Sequence, residues 1–241
     1  MLLRTGLFRL MLVIPMAGPA LALVGPTSDG VAYAPSVMMI LAQAPGRAGF
    51  CSGVLIAPRI VLTAAHCVAA AADTRVHFRD SRGAPVLIAV RRVARHPGYR
   101  PDAVAARTKS VDLALVETSE PLPASFAPVS IGAAPDDVGA DVDIAGFGVT
   151  QPGDPRTSGQ LRRARLVLRA PLSDLLLWLD SPDGAGACTG DSGAPIFWNG
   201  AVAGVVAYAQ AAHGRGCGGL TQAIRVAPQR AWIENAIAGW R

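Results

Sequence analysis

An all-β fold is predicted by three observations. Charged residues make up only 16% of the 241-residue chain, glycine and proline are frequent at 26 and 19, and short apolar or alternating runs recur between clusters of Gly, Pro and Asp. Low charge with many turn formers argues against a helical bundle. The length allows a substantial core in one compact unit, built of antiparallel strands in a barrel or sandwich.

The elements follow in chain order. Arg4 and Arg9 precede an apolar run over 10–24, and Ala20-Leu21-Ala22 has the small-x-small pattern that signal peptidase accepts, so residues 1–22 are expected to be a signal peptide. The run is too short and too interrupted by proline to favour a spanning helix. Nine strands are then expected. The first four, at 37–42, 53–56, 60–63 and 86–93, are apolar or β-branched runs, and Pro58 and Pro97 punctuate their surroundings. A fifth, at 113–117, opens on an acid and then alternates. Four more follow at 142–146, 166–169, 194–198 and 201–208. The prolines of Glu120-Pro121-Leu122-Pro123-Ala124-Ser125 would interrupt any ladder and mark a boundary between halves. At the end, Trp232, Ile233, Ala236, Ile237 and Trp240 recur at helical spacing, which predicts an amphipathic helix.

Chemistry is concentrated in three segments. In Cys188-Thr189-Gly190-Asp191-Ser192-Gly193-Ala194-Pro195, glycines let the backbone fold tightly around one serine, which reads as a nucleophile. A serine hydroxyl needs a base to take its proton and donors to hold the charge that develops on the substrate. His66 supplies the candidate base, at the end of the β-type run Val61-Leu62-Thr63-Ala64-Ala65-His66-Cys67. Asp112, opening Leu113-Ala114-Leu115-Val116, supplies the carboxylate that would fix the imidazole's tautomer. Each segment alone can be a turn, a cap or a structural contact. The order His, Asp, Ser with all three contexts intact points to a catalytic triad.

These segments, with Gly146-Phe147-Gly148 and the tail Ala231-Trp232-Ile233, resemble the trypsin/chymotrypsin-type serine endopeptidases, from about Leu23 to the C-terminus. The resemblance implies two six-stranded antiparallel β-barrels with a C-terminal α-helix. The first barrel would span about 23–122 and the second about 123–227, with the helix at about 228–241 docked on the second. His66 and Asp112 would come from the first barrel and Ser192 from the second, and the Gly190 and Ser192 N–H groups would form the oxyanion hole. The implied activity is peptide hydrolysis through an acyl-enzyme, with no cofactor. Two other readings keep the fold: a catalytically silent binding protein, and an esterase-like hydrolase with the same triad.

Four cysteines in an exported chain read as two disulfides, and composition leaves all three pairings open. The resemblance selects Cys51–Cys67 and Cys188–Cys217. A zinc site would need C-x2-C or H-x3-H spacings, which are absent, so no metal is expected. In the family, a new amino terminus folds inward to pair with the acid before the nucleophile. Leu23-Val24-Gly25-Pro26 resembles that terminus and Asp191 that acid, although Pro26 departs from a family glycine. Cleavage after Ala22 would then activate the protein directly; the alternative is a cut elsewhere, with Asp191 satisfied by local backbone N–H groups.

By the same matching, Gly186 lies at the base of the primary pocket, followed by Ala187, with Ala209 and Gly219 in its walls. None is a carboxylate, and Ala209 stands where the family has glycine. Cleavage after small or medium apolar residues is therefore expected, not after Arg or Lys. Ala207 replaces a family serine that helps hold the catalytic acid. The stretch 99–110 is longer than in relatives and carries Arg100, Arg107 and Lys109, either as a basic cleft rim or as a solvated loop. Arg91, Arg92 and Arg95, and Arg162, Arg163 and Arg165, are assigned to solvated faces.

The formal charge of +5 falls to +3 once Arg4 and Arg9 leave with the signal, too little to argue for nucleic acid. The expected partners are a protein or peptide substrate and a protein inhibitor, without stable membrane association. The expected state is a secreted or periplasmic monomer.

Overall fold

Alternation along the early strands gives each an apolar face, and those faces close on one another. The computed structural model describes residues 23–44, 47–212 and 215–240; the expected signal peptide lies outside the described residues. After a two-residue strand β1 (Ser28–Asp29), the chain forms β2 (Val37–Ala44), β3 (Arg47–Ala57), β4 (Ile60–Thr63), β5 (Thr74–Arg79) and β6 (Pro85–Arg95). A four-residue helix α1 (Ala103–Ala106) and β7 (Ala114–Thr118) follow. β2 to β7 make a closed antiparallel barrel in the order β2-β3-β4-β7-β6-β5, with β5 returning to β2. Met38, Ile40, Leu55, Val61, Val76 and Val116 fill it.

The second half repeats the solution. β8 (Asp141–Gly146), β9 (Arg162–Arg169), β10 (Leu176–Asp180), β11 (Pro195–Trp198), β12 (Ala201–Ala212) and β13 (Arg215–Arg225) pair in the order β8-β9-β10-β13-β12-β11. β11 then pairs with β8 and closes the ring. Ile144, Leu166, Leu168, Leu177, Leu179 and Ile196 occupy its centre. A third cluster lies between the barrels, where Val54, Leu62 and Leu115 meet Phe197, Val205 and Ile224. Two closed six-stranded barrels with a short C-terminal helix are therefore the architecture.

Three barrel strands, β5, β10 and β13, lie outside the nine runs expected from sequence. β5 does alternate, burying Thr74, Val76 and Phe78 while Arg75 and His77 face outward, but its outer residues are too polar to read as an apolar run. Near its start β13 carries Gly216, Cys217, Gly218 and Gly219, which read as loop. Gly218 is needed there because a Cβ would overlap the Val24 side chain.

Two placements cross the sequence boundaries. Residues near the start belong spatially to the second barrel: Leu23 is in its core, Val24 bridges Gly186, and β1 pairs with β9. The helix α2 (Arg230–Ala238), expected to dock on the second barrel, also places Ile233 in the cluster between the barrels, and the chain just after it reaches the first. Arg92 Nη1 of β6 donates to the Trp240 carbonyl at 2.6 Å, and the Trp232 ring meets His96 edge to face at 4.7 Å. Arg92 is thus engaged and not simply solvated.

Disulfides Cys51–Cys67 and Cys188–Cys217 each fall within one barrel. They close loops of 16 and 29 residues, each worth about 3 kcal/mol in the chain-entropy account.

Candidate active site

β4 is buried at every position and delivers the chain to Ala64 and Ala65, both fully buried, before a single 3-10 turn over Ala65–Cys67. Only small residues fit that approach, and the turn puts the His66 side chain outward. Arg95, assigned from sequence to a solvated face, reaches back from β6 instead. Its Nε donates to the Ala65 carbonyl at 3.3 Å and its Nη2 to the Val68 carbonyl, so it clamps the turn from both ends.

Asp112 stands just before β7, anchored by the fully buried Leu113. Its Oδ2 lies 2.6 Å from His66 Nδ1, and its Oδ1 accepts the His66 backbone N–H at 3.0 Å. An ionised carboxylate can only accept, so this contact puts the ring proton on Nδ1 and leaves Nε2 as the basic nitrogen. Ala207 offers no hydroxyl, and the backbone of His66 itself supplies the second donor.

Ser192 lines the same cavity as His66 and Asp112, a space of about 800 Å³ between the barrels. Cys51, His66 and Cys67 also bring potential metal-ligating atoms within 4.8 Å of one another, but both sulfurs are committed to their disulfide. Ala187 and Ala209 line the cavity. Gly186 and Gly219 do not: Gly186 pairs with Val24 and faces Gly218, while Gly219 sits against the Gln210 and Ala211 carbonyls. Thr221, fully buried, accepts the Ala187 N–H on Oγ1 at 3.1 Å and fixes that wall. Trp178 of β10 and Tyr208 of β12 add aromatic surface.

Backbone hydrogen bonds orient the serine loop. The Thr189 carbonyl accepts Val149 N–H at 2.8 Å, and the Asp191 carbonyl accepts Ala194 N–H at 2.9 Å. Because each peptide is planar and trans, the Gly190 and Ser192 N–H groups point the opposite way. Neither donates to any group among the described residues. Gly190 has φ +94, and a Cβ there would overlap the Phe50 ring, so glycine is required twice over.

Ser52 of β3 ties this loop to the first barrel, and sequence reasoning missed it. Its N–H donates to the Ser192 carbonyl at 2.8 Å. Its hydroxyl donates to the Gly190 carbonyl at 3.0 Å and accepts Phe147 N–H at 3.0 Å.

Asp191 is fully buried, with Oδ1 accepting Gly148 N–H at 2.9 Å and Oδ2 accepting Cys188 N–H at 3.0 Å. Burial pushes its pKa up to about 7, against the opposing pull of those two amides. A Cβ on Gly148 would overlap the carboxylate, which explains the glycine. Leu23 is packed in the same core cluster as Ala187 and Ala194, on either side of this loop.

A protein-family model described as Trypsin matches residues 31–233. The chain is similar to Trypsin 5G1 of Aedes aegypti, 32% identical over 211 residues that cover 79% of this chain and 76% of that protein. It is similar to Brachyurin of Leptuca pugilator, 28% identical over 179 residues covering 68% and 77%. The solved structure of GrC superposes with a TM-score of 0.74 at 22% identity, over 89% of this chain and 98% of that one, a likeness of fold.

Two outcomes are expected of this geometry. Ser52→Ala leaves the Gly190 carbonyl and the Phe147 N–H without their partner, which costs about 1–3 kcal/mol in urea unfolding; unchanged stability would refute the strut. For Asp191, a folded pKa of about 7 lies above the ordinary carboxylate value, so its contribution is full at low pH and is lost as pH rises toward 7. In the chain that retains the segment before Leu23, Asp191→Asn should therefore gain stability relative to the parent as pH rises from about 4 to about 7, the interval between the two pKa values. A constant difference across that range counts against the assignment.

Proposed function

The chain belongs to the trypsin family of serine proteases, and we propose that it is an exported serine endopeptidase acting through Ser192, His66 and Asp112. The observation that carries this reading is the two-point contact of Asp112 with His66 in the cavity that Ser192 lines. Ser192 Oγ attacks the peptide carbonyl while His66 Nε2 takes its proton, and Asp112 stabilises the imidazolium that forms. The unpartnered N–H groups of Gly190 and Ser192 receive the oxyanion, and His66 returns the proton to the leaving amine. Water then repeats the cycle on the acyl-enzyme.

Among the described residues Asp112 is the only carboxylate lining the cavity, and it is engaged by His66. Asp183, an acid three residues before Gly186 in sequence, is not among the residues that line the cavity. Nothing in the pocket is available to neutralise a buried Arg or Lys of the substrate, while Ala187 and Ala209 put methyl groups in its wall. This supports cleavage after small or medium apolar residues.

Activation follows from Asp191. Two amides leave its charge incompletely compensated, which is why its pKa stands near 7. An ammonium at Leu23, released by cleavage after Ala22, would complete the compensation and hold the loop that carries Gly190. Two disulfides suit the oxidising space outside the cytoplasm, secreted or periplasmic.

Ser192→Ala should lower kcat by roughly 10⁶-fold and abolish labelling by a serine-directed phosphonate. A peptide library cleaved by the parent should favour small or medium apolar residues before the cut; retained activity in the variant, or a dominant Arg/Lys preference, would overturn the corresponding assignment. Amino-terminal sequencing of the exported protein should begin at Leu23, and any other start sinks direct activation.

A further inference from the structure

The segment from Tyr99 to Ser110 forms a strap along one edge of the cavity. Its base is closed by the Ser110 hydroxyl, which accepts the Arg100 N–H at 2.8 Å and donates to the Arg100 carbonyl at 3.3 Å. Val111 N–H adds a bond to the Gly98 carbonyl at 3.1 Å. In the middle, Ala103 of α1 is buried and Thr108 N–H returns to its carbonyl at 3.0 Å. The strap is thus fixed at both base and centre.

What it presents is charge of one sign. Arg100, Arg107 and Lys109 all line the cavity that holds His66 and Ser192. Among the described residues none of the three is within ion-pair distance of an acid. The strap's own acid, Asp102, does not line the cavity, and Asp112 is taken by His66. Arg107 also holds φ +52, a left-handed conformation in which Gly or Asn would be less strained. A strained backbone that keeps a long cationic side chain at the edge of a cavity points to work done by that side chain. Leu176, Trp178 and Tyr208 line the same cavity, so its lining combines basic and apolar side chains.

We propose that this basic strap is a specificity subsite for acidic peptide segments. It selects substrates that carry Asp or Glu in the residues adjoining the scissile bond, beside the apolar residue held at Ala187 and Ala209. The proposal rests on the endopeptidase reading for its consequence in turnover, but binding tests it separately. Cations gathered along a low-dielectric cleft both attract such segments and repel basic ones.

Peptides matched except for Glu or Gln at each position around the cut bond can be titrated against Ser192→Ala by fluorescence anisotropy. At one or more positions the Glu peptide should bind about fivefold more tightly at low ionic strength. The preference should vanish near ~1 M salt, where the Debye length is about 3 Å. It should also fall toward one when Arg100→Gln, Arg107→Asn and Lys109→Gln are combined in that protein, Asn being chosen for its tolerance of the left-handed region. A Glu/Gln ratio of one or less at every position overturns the proposal, as does a preference that survives salt or the triple change. The salt series needs no strap variant, so a variant that fails to fold leaves the proposal exposed to refutation. Turnover of the same peptides by the parent reads the endopeptidase assignment: discrimination without cleavage sinks that assignment alone, and cleavage without discrimination sinks the subsite alone.

Discussion

A carboxylate with no exposed surface, Asp191, governs how the loop that carries Ser192 can fold. Removing it from water is costly, and the loop answers by aiming the Gly148 and Cys188 amides at its two oxygens. The close approach excludes side chains at Gly146 and Gly148, because a Cβ on either would overlap the carboxylate. With the oxygens so placed, the Asp191 carbonyl receives Ala194 N–H, and Ser192 comes to the rim of the cavity. The Gly-Phe-Gly segment and the Gly-Asp-Ser-Gly segment are therefore one physical unit, although 43 residues separate the hydrogen-bonded pair Gly148 and Asp191.

The other members of the site reach it across the seam. Ser52 belongs to the first barrel yet satisfies carbonyls on both sides of Asp191. Phe50, two residues earlier, lies against Gly190. The cluster of Val54, Leu62, Leu115, Phe197, Val205 and Ile224 sets the spacing of the barrels, with Ile233 of α2 inserted into it. Arg95 then fixes the turn that carries His66, and Asp112 fixes the ring. Each proposed catalytic group is held by contacts made on its own barrel and by a few made on the other.

Much of this was legible in the sequence where the signal is local. His66, Asp112 and Ser192 stand in segments whose residue types match their local geometry, and the structure brings all three to one cavity. Ser52 left no such trace, since its partner Gly190 lies 138 residues away and a lone serine in a strand has no pattern. Arg95 and Arg92 looked like solvated charge because their acceptors are backbone carbonyls, which sequence does not display. Gly186 was expected to line the pocket, but Val24 of the amino-terminal segment pairs with it and turns it into a packing surface. β13 was hidden by glycines whose purpose is the close approach of Val24 and the Gln210 and Ala211 carbonyls.

The position of the two disulfides has a mechanical meaning. Cys51–Cys67 staples the neighbourhood of His66 to itself, and Cys188–Cys217 does the same for the neighbourhood of Ser192. Among the described residues no disulfide spans the seam, which is joined by the connecting chain, apolar contact and hydrogen bonds. The alignment of His66 with Ser192 therefore rests on reversible contacts, the buried cluster of Val54, Leu62, Leu115, Phe197, Val205 and Ile224 foremost, and not on covalent bonds.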